Sequence, residues 1–167
     1  MDVAGRVVLI TGASSGVGAA LAEHLAGMGA RVVVNYSRSA DAAEAVVSRI
    51  TSAGGQALAV QADVSEEADC KRLVAAAIEQ FGQLDVLVNN AGTTTFVPHD
   101  QLEALTEEIW LRTLRVNLIG AFMMSREAAP HIGAAGGGEI IMTSSIASMT
   151  ANGSSIAYCA SKAGMNR

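Results

Sequence analysis

Tyr158 and Lys162 stand four residues apart in SIAYCASKAG, in a chain with only two tyrosines and two lysines. If that stretch is helical, the spacing puts both side chains on one face, about one turn apart. An ammonium beside a phenol stabilises the phenolate, so the pair could exchange a proton with an alcohol or a carbonyl near neutral pH. Ser145, thirteen residues earlier, could hydrogen-bond the same oxygen. A Tyr/Lys pair on the surface of an ordinary helix is the plainer alternative.

A second constellation lies near the start. Residues 11 to 18 read TGASSGVG, with glycines at 12, 16 and 18. Between a first strand and a first helix, such a stretch offers free backbone N–H groups and a helix dipole to a phosphate. The spacing is GxxxGxG rather than GxGxxG, and no Lys-Ser/Thr follows as a triphosphate-binding loop demands. A structural turn fits the same eight residues equally well.

The next run, Asn35-Tyr36-Ser37-Arg38, falls where an NAD-binding sheet places a carboxylate on the ribose 2′-hydroxyl. No acid is present there. A guanidinium and a hydroxyl would instead suit a 2′-phosphate, so NADP(H) is expected over NAD(H), with a solvated Arg38 as the alternative. Asp63-Val64 and Asn89-Asn90-Ala91-Gly92 also close apolar runs, at strand ends where open α/β sheets bind ligands. Equally, Asp63 could cap the helix that follows, and Asn-Asn-Ala-Gly could form a turn.

These residues need a frame. Five β-branched apolar runs, 7–11, 31–36, 57–63, 84–90 and 139–145, alternate with helical stretches at about 17–28, 40–53, 66–81 and 105–131. That rhythm predicts βαβ units with right-handed crossovers and a doubly wound parallel α/β sheet in one domain spanning 1–167. Gly29, Gly54-Gly55, Gly82 and Gly136 to Gly138 each follow a helix, where a left-handed residue costs glycine least.

Composition narrows the partners. Half the residues are apolar, 16% are charged and 4% aromatic, as in a buried parallel sheet under small-residue helices. The net charge of −5, with scattered Lys and Arg, argues against nucleic acid and anionic membranes and favours a small-molecule substrate. Cys70 and Cys159 lack CxxC spacing, and His24, His99 and His131 lack ligand spacing, so neither a disulfide framework nor a metal is expected. His99 could face a substrate cleft, although a solvated loop histidine is the simpler reading. No signal-peptide pattern opens the chain, and the expected location is cytoplasmic.

Taken together, TGxxxGxG at Thr11 to Gly18, NNAG at Asn89 to Gly92 and YxxxK at Tyr158 to Lys162 resemble the short-chain dehydrogenase/reductase family. Ser145 stands thirteen residues before Tyr158 as in that family, and Asn117 in RVNLIGAF matches its helix asparagine. The resemblance implies an NADP-dependent oxidoreductase interconverting a ketone and a secondary alcohol, similar to 3-oxoacyl-thioester reductases and sugar dehydrogenases. It implies Tyr158 as general acid or base, Ser145 orienting the substrate oxygen, Lys162 holding the nicotinamide ribose, and Asn117 anchoring a water relay. Gly12, Ser14, Ser15, Gly16, Val17 and Gly18 would cradle pyrophosphate and ribose. Asp63 and Val64 would meet adenine, and Asn90, Ala91 and Gly92 would line the cleft.

The stretch from Glu107 to Met124 carries more apolar residues than one buried stripe needs, Trp110, Leu114, Leu118, Ile119 and Phe122 among them. By the same resemblance it would meet its mate in a homo-oligomer. Members of the family continue beyond the YxxxK helix, so this length is expected to lack later strands and much of the substrate pocket. If it were the whole polypeptide, the fifth strand would be a bare apolar edge. The alternative function is therefore a truncated, catalytically weak nucleotide-binding fragment, or one part of a molecule completed by another segment.

Overall fold

Three valine-rich strands at the centre, with one further strand at each margin, build the sheet that positions the candidate residues. In the computed structural model, which describes residues 2–150 and 154–166, the strands are β1 (Val7–Ile10), β2 (Arg31–Tyr36), β3 (Gln56–Gln61), β4 (Val86–Asn89) and β5 (Glu139–Met142). All pairings are parallel, in the order β3-β2-β1-β4-β5. The first crossovers run outward through β2 and β3, and the chain then returns to the other side of β1. The strand ends of β1 and β4 therefore face a crevice at the switch point, where such sheets bind ligands.

Alternation along β1 sorts the core into two layers. Val7 and Leu9 point to one face, where Leu73, Val74 and Ala77 of α3 (Glu67–Phe81) and Met124, Ala128 and Ile132 of α5 (Ala121–Ala134) cover them. Val8 and Ile10 point to the other, under Ala22 and Ala26 of α1 (Gly16–Gly27) and Val46 and Ile50 of α2 (Ala40–Ser52). A strand covered on both faces has no polar side, which is why these runs read as continuously apolar.

The predicted strands and helices are all present; the 31–36 strand has the expected bounds and the other four are shorter. β1 ends at Ile10; the Thr11 N–H still donates to Val88 O, and its hydroxyl donates to Val88 O and accepts from the N–H groups of Asn90 and Ala91, tying the ends of β1 and β4 together. The long helix expected over 105–131 has three parts: α4 (Glu107–Leu114), a π-helical segment (Arg115–Gly120) and α5. Asn117 sits fully buried in the middle of the π segment. Two further helices follow β5: the single turn α6 (Ala147–Thr150) and α7 (Ile156–Met165), which carries Tyr158 and Lys162. Asp63 does not cap α3. Its carboxylate accepts from the backbone and hydroxyl of Ser65, a local turn, and α3 starts only at Glu67.

β5 lies at the margin of the sheet, with Ile140, Ile141 and Met142 37 to 43% exposed. Leu111, Ile119 and Phe122 likewise point outward from the α4 to α5 stretch. Both cysteines are buried and unpaired, and burial pushes the Cys70 thiol up to about 11, so it stays protonated at neutral pH.

Asp85 anchors the opposite end of the sheet. Its buried carboxylate accepts from Val7 N at 2.8 Å, Gln83 Nε2 at 2.6 Å and Arg6 at 3.0 Å. Burial alone would raise its pKa, but these three donors together outweigh that and hold it below the usual carboxylate value. A depressed pKa means that the unfolded chain takes up the proton first, so the stability Asp85 contributes is present near neutrality and lost on acidification below about pH 4. Asp85→Ala should lower unfolding free energy at pH 7 by about 2 to 4 kcal/mol and flatten its fall between pH 5 and 3. Urea denaturation across that range checks both.

Candidate active site

At the switch point, three asparagines hold the loops. Gly12 has φ +63°, and its N–H donates to Asn35 Oδ1 at 3.1 Å. Asn35 is 1% exposed, and its amide donates to Val60 O and Ala62 O across β3. Asn90 reaches from the end of β4 to donate to Thr11 O at 2.9 Å and Gly12 O at 3.1 Å. Asn35 thus shapes the glycine turn from beneath, and its side chain is committed to backbone groups. Asn35 also lines the crevice at this point, with its amide held by three backbone carbonyls and its oxygen by Gly12 N–H.

Gly18 is required by space. A Cβ there would lie 2.6 Å from both Asn90 Nδ2 and Gly12 O. The absence of a side chain lets α1 start directly against the turn. The N–H groups of Gly16, Val17 and Gly18 have no acceptor within the helix, and Ser15 at the N-cap makes no side-chain bond to them. The residues just before the helix, Gly12, Ser14 and Ser15, line a cleft of about 330 Å³ together with Ser37, Arg38, Asp63, Val64, Ala91 and Gly92. Sequence reasoning missed Tyr36, Thr93 and Arg112 in that lining. Arg112, on α4, has no local signal, since only the packing of α4 brings it to the loops after β2 and β4.

The cleft continues past Asn90, Gly92 and Thr93 into a second space of about 480 Å³ that holds Ser145, Tyr158 and Lys162. Ser145 Oγ accepts from Ala147 N at 3.2 Å, which leaves its proton free to donate into the cleft. Lys162 is 3% exposed, and its ammonium donates to Thr143 O at 2.7 Å, past the end of β5. Burial holds its pKa below the ordinary lysine value. Its Nζ stands 5.8 Å from the centre of the Tyr158 ring. Helical spacing alone put the two residues on one face. The sheet adds burial and a fixed carbonyl for the ammonium.

Asn117 stands behind this pair. Its Oδ1 accepts from Thr93 N at 2.7 Å, and its Nδ2 donates to Thr93 O at 2.9 Å and to Ser161 Oγ of α7 at 3.0 Å. One amide therefore joins the loop after β4, the π segment and α7. Breaks from α-helical hydrogen bonding of this kind recur at functional sites.

A sequence model of the family described as short chain dehydrogenase matches residues 6–167. The chain belongs to the short-chain dehydrogenase/reductase family. A protein of Streptomyces violaceoruber, named as a ketoacyl reductase of the granaticin polyketide synthase, is 47% identical over 158 residues, which are 95% of this chain and 62% of that one. Versicolorin reductase 1 of Aspergillus parasiticus is 45% identical over 141 residues, 84% of this chain and 52% of its own. The solved short-chain dehydrogenase/reductase of Serratia marcescens superposes with a TM-score of 0.88 at 39% identity, over 99% of this chain and 66% of that one. The chain thus spans less than two thirds of the length of these curated relatives.

Family membership implies a nicotinamide dinucleotide, and the residues present fit one. The free N–H groups at the start of α1, the hydroxyls of Ser14, Ser15 and Ser37, and two guanidiniums suit a phosphate-rich ligand entering at the switch point. Among the described residues, no cluster of His, Cys, Asp and Glu could hold a metal ion, and no helix is long and apolar enough to cross a membrane.

Proposed function

We propose that this chain carries the cofactor-binding and proton-transferring part of an NADP(H)-dependent oxidoreductase that interconverts a ketone and a secondary alcohol. The observation that carries the reading is the buried Lys162 beside Tyr158, in a space continuous with the glycine-turn cleft. The nicotinamide supplies the hydride in reduction and accepts it in oxidation. Tyr158 gives its proton to the carbonyl oxygen in reduction and takes one from the hydroxyl in oxidation. Ser145 donates a hydrogen bond to that same oxygen. Lys162, with Thr143 O occupying one of its donors, holds the nicotinamide ribose hydroxyls and favours the phenolate. Asn117 anchors the water relay by fixing Thr93 and Ser161 on either side.

At the other end, α1 and the turn hold pyrophosphate and ribose through Gly12, Ser14, Ser15, Gly16, Val17 and Gly18. Ala91 and Gly92 line the middle of the cleft, Asn90 fixes the turn there, and Asp63 and Val64 bound the adenine. Ser37 and Arg38, with Arg112 opposite, hold the 2′-phosphate. The absence of a carboxylate at the end of β2 supports NADP(H) over NAD(H). The names of the ketoacyl and versicolorin reductases support a ketone as the substrate. The outward Leu111, Ile119 and Phe122 support a homo-oligomer, and a light-scattering mass of one chain overturns that part. A cytoplasmic location accords with two reduced thiols.

The exposed apolar margin of β5 favours a second reading, in which these 167 residues bind the nucleotide but turn over weakly. Titration with NADPH and NADH followed by nicotinamide fluorescence tests the cofactor claim. Saturable binding with NADPH at least about tenfold tighter is expected, since Arg38 adds a charge-assisted contact to the extra phosphate. Binding of neither sinks the site, and tighter NADH sinks the role of Arg38. Binding without reduction of ethyl acetoacetate supports the second reading.

A further inference from the structure

The loop after β4 does more than line the cleft. Ser154 is 7% exposed, and its carbonyl precedes α7, so no residue of the helix ladder takes it. A buried carbonyl needs a donor. His99 provides one at 2.8 Å from Nε2, and because a carbonyl only accepts, Nε2 carries the proton. Cys159 Sγ reaches the same oxygen at 4.0 Å, a weak second donor. Thr94 Oγ1 lies 2.9 Å from Ser154 Oγ and 3.4 Å from Ser155 Oγ. Ser155 in turn caps α7 by accepting from the N–H of Tyr158 at 3.4 Å.

We propose that Thr94 and His99 are positioning residues, a clamp that fixes the first turn of α7 and thereby the place of Tyr158 in the cleft. The clamp has a fixed base, because Asn117 grips the neighbouring Thr93 through both its N–H and its C=O. The far end of α7 is held separately, by Lys162 on Thr143 O. With both ends held, the helix cannot pivot, and the phenol keeps one position relative to Ser145 across the space they line. Without the clamp, the side-chain hydrogen bonds left to the Tyr158 end among the described residues are its cap and the Asn117 contact to Ser161, beside the packing of α7 on α4, α6 and the π segment.

The consequence for turnover rests on the oxidoreductase reading, but the geometry does not, so the test reads both. Ring-labelled tyrosine gives two resonances, from Tyr36 and Tyr158, which Tyr158→Phe assigns. His99→Leu and Thr94→Val remove the clamp's hydrogen bonds, whereas His99→Gln and Thr94→Ser retain a donor or a hydroxyl. The Tyr158 resonance should shift or broaden in the first pair and return in the second, with Tyr36 unchanged throughout. With NADPH and ethyl acetoacetate, kcat should fall about tenfold in the first pair, as for a slightly misplaced group, while KM for NADPH stays within about twofold. An unmoved Tyr158 resonance in both His99→Leu and Thr94→Val overturns the clamp, and so does equal movement of Tyr36. Absence of turnover in the unaltered chain counts against the oxidoreductase reading and leaves the resonances to decide the clamp.

Discussion

Tyr158→Phe should cut reduction of ethyl acetoacetate by NADPH roughly 10²- to 10⁴-fold, the usual worth of a positioned general acid. The substitution removes one oxygen and keeps the ring, so the packing of α7 and the burial of Lys162 should persist. In the structure the backbone N–H of Tyr158 is capped by Ser155 and its carbonyl accepts from Ser161, and neither bond involves the phenol. The NADPH dissociation constant, read by nicotinamide fluorescence, should stay close to that of the unaltered chain, because the glycine turn and the Arg38 end of the cleft are untouched. Loss confined to kcat marks an interaction made in the transition state. A variant that keeps comparable turnover removes Tyr158 from the proton-transfer role. One that loses NADPH affinity in parallel places the phenol in cofactor binding instead.

The second large effect is expected at the opposite end of the site. Gly18→Ala should weaken NADPH binding by at least about tenfold and lower stability by about 1 to 3 kcal/mol, the range for overpacking a filled space. The added carbon would lie 2.6 Å from Gly12 O and from the Asn90 amide that donates to it, and 2.9 Å from Ala13 Cα. Two of these are backbone atoms of the turn itself, so relief requires moving the loop at the proposed cofactor site. Gly27→Ala, in the same helix with open space around it, serves as the control. There the lower conformational entropy of the unfolded chain should leave stability unchanged or slightly raised. Thermal unfolding and NADPH titration of the two variants separate a steric requirement at Gly18 from a general dislike of side chains in α1.

The sequence was informative where a requirement is local. Gly12 and Gly18 could be picked out because a tight turn running straight into a helix start leaves little room for a Cβ, and the approach of Ala91 and Asn90 adds to that locally set constraint. Tyr158 and Lys162 could be paired because four residues on a helix make one turn. The sheet was legible because strands buried on both faces must be apolar throughout, and the helices between them must carry a stripe. The run at 31–36 matches β2, but the C-terminal ends of the other strands were overestimated by one to three residues; Thr11 and Thr143 still donate their N–H groups to β4, so the side-chain pattern runs on past the assigned ends. The π segment was invisible: one turn with an extra residue leaves no distinct period in a stretch that is apolar on two sides.

The rest depended on neighbours distant in the chain. Asn35 reads as a strand-end polar residue, and only the pairing of β2 with β3 and the return of the Gly12 loop commit its amide to four backbone partners. Arg112 reads as a surface charge on a helix until the packing of α4 brings it to the cleft. His99 reads as a loop histidine, yet it holds the carbonyl of a residue 55 positions later. By itself, then, the sequence determined the doubly wound sheet, the glycine turn after its first strand and the Tyr158/Lys162 pair, because each follows from the sterics and periodicity of a short stretch. Only the tertiary structure decided which backbone groups the asparagines hold, how deeply Lys162 is buried, and what fixes α7. Those are properties of contacts between segments, and no local pattern encodes them.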